Sequence, residues 1–506
     1  LSPAPLVLAL ALVVLAIPAR AQEPVDPFVL AEIRVPGRAV DAFVARGEDG
    51  RDTVFVISLE GSPPEDRRFV TALPRLALDD AEAESPIELP LAVVAVDADE
   101  LGLAPGPELV SLSARELRVD SLRGQPLARR PIDPPLPLPA RTWELSQVDL
   151  VRDWDSDGRL EALAPGTDGA RLLPLSTSDA AQELSLPVIA DYGTPTLENY
   201  YRPGLLVGVI SWPMLELADD DGDGRADLFA ANRYELRVFR AGAGGGLPRE
   251  PSRRRAFPPF SAEEERRHLA STLLAFVRDL DGDGRADLVV HRMVGELTRS
   301  RSTTTVHTNA GSGADPQAAP SVRIDLTGGN AALRVADIDG DGRHEILEAY
   351  LGFGVVQAIR MLTVRRAELR LRVWALPPGA PAPVETWSDE VSFPFDFATS
   401  RVLGLLPFTE ADWNGDGLLD LCWADGNGVL RFRLGEQRPA GPGFGRIVAS
   451  LPLSISGDLV AADLDADGLR DLVAWDPLDG EGRVRVGRNR GVLPGTPPAL
   501  RAAPER

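Results

Sequence analysis

Short apolar runs alternate with acidic, glycine-bearing loops along most of the chain. Near the end, "GDLVAAD" leads into an acidic stretch at Asp463, and "LVAWD" follows Asp471. "GRVRVGRN", residues 482–489, then alternates polar and apolar positions, the period of a half-buried strand. The unit before it reads the same way through "LDLCWAD", "GNGVLRFRLGE" and "FGRIVASLPLS". The predicted unit is strand, acidic loop, strand, Gly/Asp turn, strand, loop, strand. Apolar stretches such as Leu273–Val277 and Leu333–Ala336 carry buried strands into two further acidic loops.

The acidic loops are copies of one pattern. "DWDSDGRLEAL" begins at Asp153, "DDDGDGRADLF" at Asp219, "DLDGDGRADLV" at Asp279, "DIDGDGRHEIL" at Asp337, "DWNGDGLLDLC" at Asp412 and "DLDADGLRDLV" at Asp463. All six obey D-x-[DN]-x-D-G-x-x-[DE]-[ALI]. Two weaker copies precede them. One keeps Asp97 and Asp99 and carries an insertion before Glu108; the other keeps Asp49, Gly50 and Asp52, with Arg46 in the first place. Successive first positions lie 51, 56, 66, 60, 58, 75 and 51 residues apart. Four short strands with their turns need about 40–50 residues, so each period has room for one four-stranded sheet and a variable loop. Residues 28–35, "FVLAEIRV", read as a fourth strand placed before the first unit, able to complete the last sheet and close a ring. Insertions are expected at 188–213 and 375–400, and Ser261-Ala-Glu-Glu264 reads as a capping box opening a short helix.

Composition narrows the function classes. The net charge is −23, which argues against nucleic acid or an anionic membrane surface as the main partner. It is compatible with hard cations, which take oxygen ligands. All 53 basic residues are arginine. Glycine and proline together make 92 residues, in keeping with a turn-rich β protein. Residues 1–21 read as a secretory signal peptide, with the apolar run Leu6–Ile17 and cleavage after Ala19-Arg20-Ala21, although a basic n-region is missing. No other apolar run is long enough for a transmembrane helix. The expected division is a leader at 1–21, one repeat domain at 22–495 and a tail at 496–506, with the protein secreted, periplasmic or on the cell surface. The single cysteine, Cys422, excludes an intramolecular disulfide framework and reads as a buried strand thiol. An exported domain without disulfides needs another staple, and metal is one option.

In the loop at Asp279, carboxylates at positions 1, 3 and 5 (Asp279, Asp281, Asp283) converge only if the chain curls tightly. Gly284 at position 6 tolerates the positive φ of that curl. The position 7 carbonyl and Asp287 at position 9 complete an oxygen cage suited to Ca²⁺. Without a cation the carboxylates repel one another. An EF-hand needs helices on both sides and a glutamate at position 12. That position holds Ala164, Ala230, Val290, Glu348, Trp423 and Ala474 in turn, and the flanks are β-like.

On these residues the chain resembles the FG-GAP/VCBS-type repeat proteins, a family that includes integrin α-subunit propellers and many secreted bacterial proteins. The resemblance spans nearly all of residues 28–495 and rests on the loops. The Phe-Gly and Gly-Ala-Pro elements are mostly absent, with Phe444-Gly445 as one remnant, so the VCBS-type label fits better. It implies an all-β propeller of seven or eight four-stranded blades, eight by repeat count. It also implies Ca²⁺ at about six sites, each in the hairpin between the first two strands of a blade. Carried over by position, the metal ligands are Asp153, Asp155, Asp157 and Glu161; Asp219, Asp221, Asp223 and Asp227; and Asp279, Asp281, Asp283 and Asp287. The later loops supply Asp337, Asp339, Asp341 and Glu345; Asp412, Asn414, Asp416 and Asp420; and Asp463, Asp465, Asp467 and Asp471.

The function expected is a secreted calcium-binding module for adhesion to a surface glycan or protein. The alternatives are a propeller-scaffold enzyme acting on polysaccharide, a glycan hydrolase or lyase, and a structural subunit of a surface assembly. The four histidines (His268, His291, His307, His344) are scattered, and no H-E-x-x-H or G-x-S-x-G occurs, so no catalytic residue is assigned. Trp154 and Trp413 at position 2 of their loops are expected to pack between blades; Tyr200 and Tyr201 lie in an insertion. Arg253–Arg255 and Arg365-Arg366 read as solvated loop or edge-strand charges.

Overall fold

Each acidic loop closes a hairpin, and each hairpin opens a four-stranded antiparallel sheet. The computed structural model describes residues 26–500, apart from 63–64, 74, 77–80, 83, 139–144, 167–168, 176–179, 194–206, 267–270, 296–299, 310, 312, 353, 378–382, 397–400, 427 and 456. The leader, His268, Tyr200 and Tyr201 lie outside the described residues. Eight such sheets follow one another as the blades of a propeller, the sixth extended by a two-residue fifth strand, Arg401–Val402. Their first strands are Arg38–Arg46, Val93–Asp99, Val151–Arg152, Met214–Ala218, Ser271–Arg278, Gly329–Ala336, Leu405–Ala411 and Asp458–Ala462. The seven-blade alternative is thereby excluded: the unit that begins at Arg38 is a full blade, with Asp52–Glu60, Arg67–Leu73 and Ile87–Leu89.

The ring closes as the N-terminal pattern predicts. Phe28–Arg34 is the fourth strand of blade 8, antiparallel to Arg483–Asn489, in register from Phe28↔Asn489 to Arg34↔Arg483. The two ends of the propeller are therefore fastened by backbone hydrogen bonds, and a sheet edge is paired.

The core is divided among the seams. Eight hydrophobic clusters are described, and each joins two neighbouring blades around the ring. The second strands show why the sequence there reads as a continuous apolar run. In Asp471–Trp475, Leu472 and Ala474 face the seam with blade 7, while Val473 and Trp475 face the seam with blade 1. Trp154 fills the seam of blades 3 and 4 and Trp413 that of blades 7 and 8, both fully buried as expected. Cys422 is buried beside Trp413, and burial pushes its thiol far up.

Two expectations need correction. Residues 375–400 are not an insertion: Val384–Asp396 is the long fourth strand of blade 6, with Trp387, Val391 and Phe393 buried in the seam with blade 7. Pro394 sits near the end of this outer strand, where a missing N–H is tolerated. The real insertion in that blade is helix α2, Val355–Val364, between its second and third strands. The capping box is present. Ser261 N–H donates to Glu264 Oε2 (2.7 Å) and Glu264 N–H to Ser261 Oγ (3.3 Å), opening helix α1, Ala262–Arg266. The 188–213 insertion carries a separate hairpin, Ile189–Gly193 with Val207–Ser211. Arg253 lies on an edge strand, but it is buried and bonded to Asp220 (2.6 Å) rather than solvated.

Candidate metal centres

All six loops join the first and second strands of their blades, and position 9 is the first residue of the second strand each time. The curl comes from two left-handed residues. Position 6 is a glycine with φ between 80° and 91° in every loop. Position 4 is also left-handed: Gly222, Gly282, Gly340 and Gly415 adopt it freely, and Ser156 and Ala466 adopt it as non-glycine residues at φ 59° and 60°. The strict pattern left position 4 open; its signal was the glycine in four of six copies.

Backbone donors then fix the carboxylates. The position 1 aspartate accepts the N–H of the position 6 glycine in all six loops, at 2.7–3.1 Å. The position 5 aspartate accepts the N–H of position 7, at 2.8–3.0 Å. The position 9 acid accepts the N–H of position 2, at 2.7–3.3 Å. Four of the position 9 aspartates use their other oxygen as well. Asp227, Asp287, Asp420 and Asp471 accept Ala241, Asn309, Gly435 and Asn489 N–H at 2.8 Å, tying the loop to the blade's third strand or to the residues just after it.

Four loops bring positions 1, 3 and 9 together, with one carboxylate oxygen from each within 4.8 Å of the others. These are Asp153, Asp155 and Glu161; Asp219, Asp221 and Asp227; Asp279, Asp281 and Asp287; and Asp337, Asp339 and Glu345. In the last loop Asp463, Asp465 and Asp467 converge instead. Asp157, Asp223, Asp283 and Asp341 stand outside these groups, and Asp223 and Asp341 pair with the neighbouring Arg225 and Arg343. In the loop at Asp412, Asn414 takes position 3, donating to Asp416 Oδ2 (2.9 Å) and to Pro494 O (2.9 Å).

The electrostatics are those of crowded acids. Burial first, and neighbouring carboxylates second, push Glu161 and Glu345 up to about 8. Burial likewise raises Asp227 and Asp287 to about 6, Asp420 to about 7 and Asp471 to about 8. Asp155, Asp281 and Asp339 at position 3 are raised for the same reasons. Asp221 Oδ1 and Asp339 Oδ1 are buried atoms with no hydrogen-bond partner. Oxygen-only donors, crowded carboxylates and unsatisfied oxygens at position 3 fit a hard divalent cation such as Ca²⁺.

The two weaker copies manage without such a group. Glu108 accepts the N–H groups of Leu101, Leu103 and Ala104 at 2.6–2.8 Å, so its carboxylate holds the loop by itself. Asp97 is buried and accepts the N–H groups of Leu150 and Val151 (2.8 and 2.9 Å), joining blade 2 to blade 3. Asp52 accepts Asp463 N–H (2.8 Å) and Arg470 Nη1 (2.5 Å), joining blade 1 to the loop of blade 8.

The loops also touch one another along the ring. Ala286 N–H donates to Asp219 O (2.7 Å), His344 N–H to Asp279 O (3.0 Å) and Leu419 N–H to Ile338 O (2.9 Å). Ser156 Oγ donates to Ala226 O (2.8 Å). Of the described histidines, His291 is buried between Thr304 Oγ1 (3.0 Å) and Ala331 O (3.2 Å), and burial lowers it to about 4. His344 Nδ1 lies 3.0 Å from Asp279 O.

Residues 219–290, 279–348 and 412–474 match the FG-GAP-like repeat family, each match running through a loop described above. These stretches of the chain are FG-GAP-like repeats. Among solved structures it is similar to an Agrocybe aegerita lectin described as recognising non-reducing terminal N-acetylglucosamine (16% identity, 90% of this chain and 96% of that one, TM-score 0.42). It is also similar to the Dos1 propeller (12% identity, 91% and 95%, TM-score 0.45). A third is the V. cholerae biofilm matrix protein Bap1 (15% identity, 90% and 81%, TM-score 0.31). No curated protein matches the chain.

Proposed function

We propose that the protein is an exported, calcium-clipped propeller that acts as a binding or adhesion module for a surface glycan or protein. The observation that carries this reading is the sixfold recurrence of one acidic loop, built each time with the same backbone donors. A bound Ca²⁺ supplies the positive charge that lets the crowded carboxylates stay ionised in a closed loop. At ten times its Kd, one ion adds about 1.4 kcal/mol, so six sites together add about 8 kcal/mol. The chain's own residues do the rest: position 9 anchors the cage to a buried strand, and positions 4 and 6 give the curl.

On this reading the clips hold the ring, and recognition falls to the connections between them. Export after Ala21 would place the domain where calcium is plentiful, and the absence of disulfides gives the metal its role as staple. The described helices include none long and apolar enough to cross a membrane. The test is a binding screen of the mature chain against a glycan panel and the proteins of a native envelope, with and without Ca²⁺. Calcium-dependent capture of one ligand class supports the reading. Turnover of a polysaccharide by the purified protein, lost on a substitution outside the loops, would replace it with an enzyme.

A further inference from the structure

Two asparagines that the loop pattern does not include stand between neighbouring cages. Asn309 follows the third strand of blade 5 (Arg301–His307) and is 2% exposed. Its backbone N–H donates to Asp287 Oδ1 (2.8 Å), position 9 of its own blade's loop. Its side-chain Nδ2 crosses the seam and donates to Asp220 O (2.8 Å), position 2 of the blade 4 loop. Its Oδ1 accepts the N–H groups of Gly311 (3.0 Å) and Gly313 (2.8 Å), which holds the amide in that direction.

Asn489 repeats the arrangement at the other side of the ring. It ends the third strand of blade 8 and is 1% exposed. Its N–H donates to Asp471 Oδ1 (2.8 Å), and its Nδ2 donates to Trp413 O (2.8 Å), position 2 of the blade 7 loop, and to Arg470 O (3.0 Å). Its Oδ1 accepts Gly491 N–H (3.0 Å). Ala241 and Gly435 stand at the same place in blades 4 and 7, and they carry no amide to reach across.

The bridges continue into the next cage. The residue each amide grips at its carbonyl donates its own N–H to position 9 of its loop: Asp220 to Asp227 (3.0 Å) and Trp413 to Asp420 (2.7 Å). An unbroken hydrogen-bonded line therefore runs Asp287–Asn309–Asp220–Asp227, and another Asp471–Asn489–Trp413–Asp420. Each links the position 9 acid of one loop to the position 9 acid of the loop before it. Asp287 and Asp227 belong to converging groups, whereas at 463 the converging acids are Asp463, Asp465 and Asp467, and Asp471 anchors the loop through its backbone bonds. Without a cation, repulsion among the carboxylates favours an open loop. Closing one cage fixes its position 9 acid, then the asparagine, then the backbone of the neighbour, so the second closure costs less than the first.

We infer that Asn309 and Asn489 are positioning residues that make two pairs of cages load Ca²⁺ cooperatively, 219 with 279 and 412 with 463. This rests on the calcium reading above. The test titrates the calcium-stripped mature chain with Ca²⁺ against a chromophoric chelator, with bound calcium counted by elemental analysis. The variants are Asn309→Asp and Asn489→Asp, which keep size and the Oδ1 acceptor but lose the bridging donor. Asp281→Ala removes the position 3 ligand of the 279 cage without touching either asparagine.

In the wild type, filling one member of a pair tightens the other about fivefold or more. In Asn309→Asp the coupling of the 219 and 279 sites falls, with the Ala286 N–H to Asp219 O bond left between the loops, while the 412 and 463 pair is unchanged, and Asn489→Asp does the reverse. Asp281→Ala weakens calcium binding at the 219 loop in the wild-type background and does so markedly less in Asn309→Asp. Calcium bound with a Hill coefficient of one, or cooperativity undiminished in both asparagine variants, overturns the coupling alone. A wild-type chain that binds no calcium overturns the calcium reading and the coupling with it.

Discussion

Closure of the ring depends on one strand far from the rest of its blade in sequence, and Phe28 is the residue through which it grips the core. Phe28 is 3% exposed. Its ring stacks on Phe432 at 5.3 Å and meets Trp413 edge-on at 5.7 Å. Both partners belong to blade 7, so this side chain joins the N-terminal strand of blade 8 to its neighbour. Removing a buried phenylalanine side chain costs about 3–5 kcal/mol, from lost burial and the cavity left behind. Val29, next in the strand, is 38% exposed on the opposite face, and Val29→Ala is expected to cost no more than about 0.5 kcal/mol. The assay is urea unfolding in Ca²⁺, followed by tryptophan fluorescence, which Trp413 itself reports. A Phe28→Ala midpoint equal to that of Val29→Ala would refute ring closure through this strand.

Three further outcomes follow from the loops. Asp287→Ala leaves the buried N–H groups of Leu280 and Asn309 without an acceptor, at about 1–3 kcal/mol each already in stripped protein, and costs more in loaded protein, where a member of the cage is lost as well. Asp281→Asn, by contrast, lowers stability only when Ca²⁺ is present, so paired thermal melts separate scaffold from ligand. Glu108→Ala removes the acceptor of three backbone bonds at about 1 kcal/mol each, and its cost is the same with and without calcium. The pH dependence of stripped protein has a definite sign. The position 9 acids hold protons in the folded chain up to about 6–8, but release them near pH 4 when unfolded. The folded state binds more protons between those limits, so stability falls as pH rises from about 4 to about 8. Melting curves of stripped protein at pH 5 and pH 8 check this, and saturating Ca²⁺ removes the decline.

Much of the architecture was legible because a propeller writes its period into the chain. The alternation in "GRVRVGRN", the apolar second strands and the six loops located every blade from 3 to 8, and "FVLAEIRV" located the closing strand. Other features lacked a local signal. Val384–Asp396 was obscured by the Pro- and Gly-rich stretch before it and by Pro394 within it. Helix α2 interrupts a blade where the strand period gives no warning. In the loops, sequence spacing gave four equivalent carboxylates, whereas the fold turns position 5 toward the position 7 N–H and, in two loops, toward arginine. Asn309 and Asn489 were invisible because their role lies across a seam, between residues 89 and 76 positions apart. Only an Asn-x-Gly after the third strand hinted at them.

The direct test of the clips is the number of calcium ions the folded chain holds and what their removal does. Elemental analysis of protein equilibrated in Ca²⁺ should give about six per chain, and stripping them should lower the melting temperature markedly, with recovery when Ca²⁺ is restored. A chain that carries no calcium and melts identically in excess chelator would contradict the assignment of these loops as calcium clips.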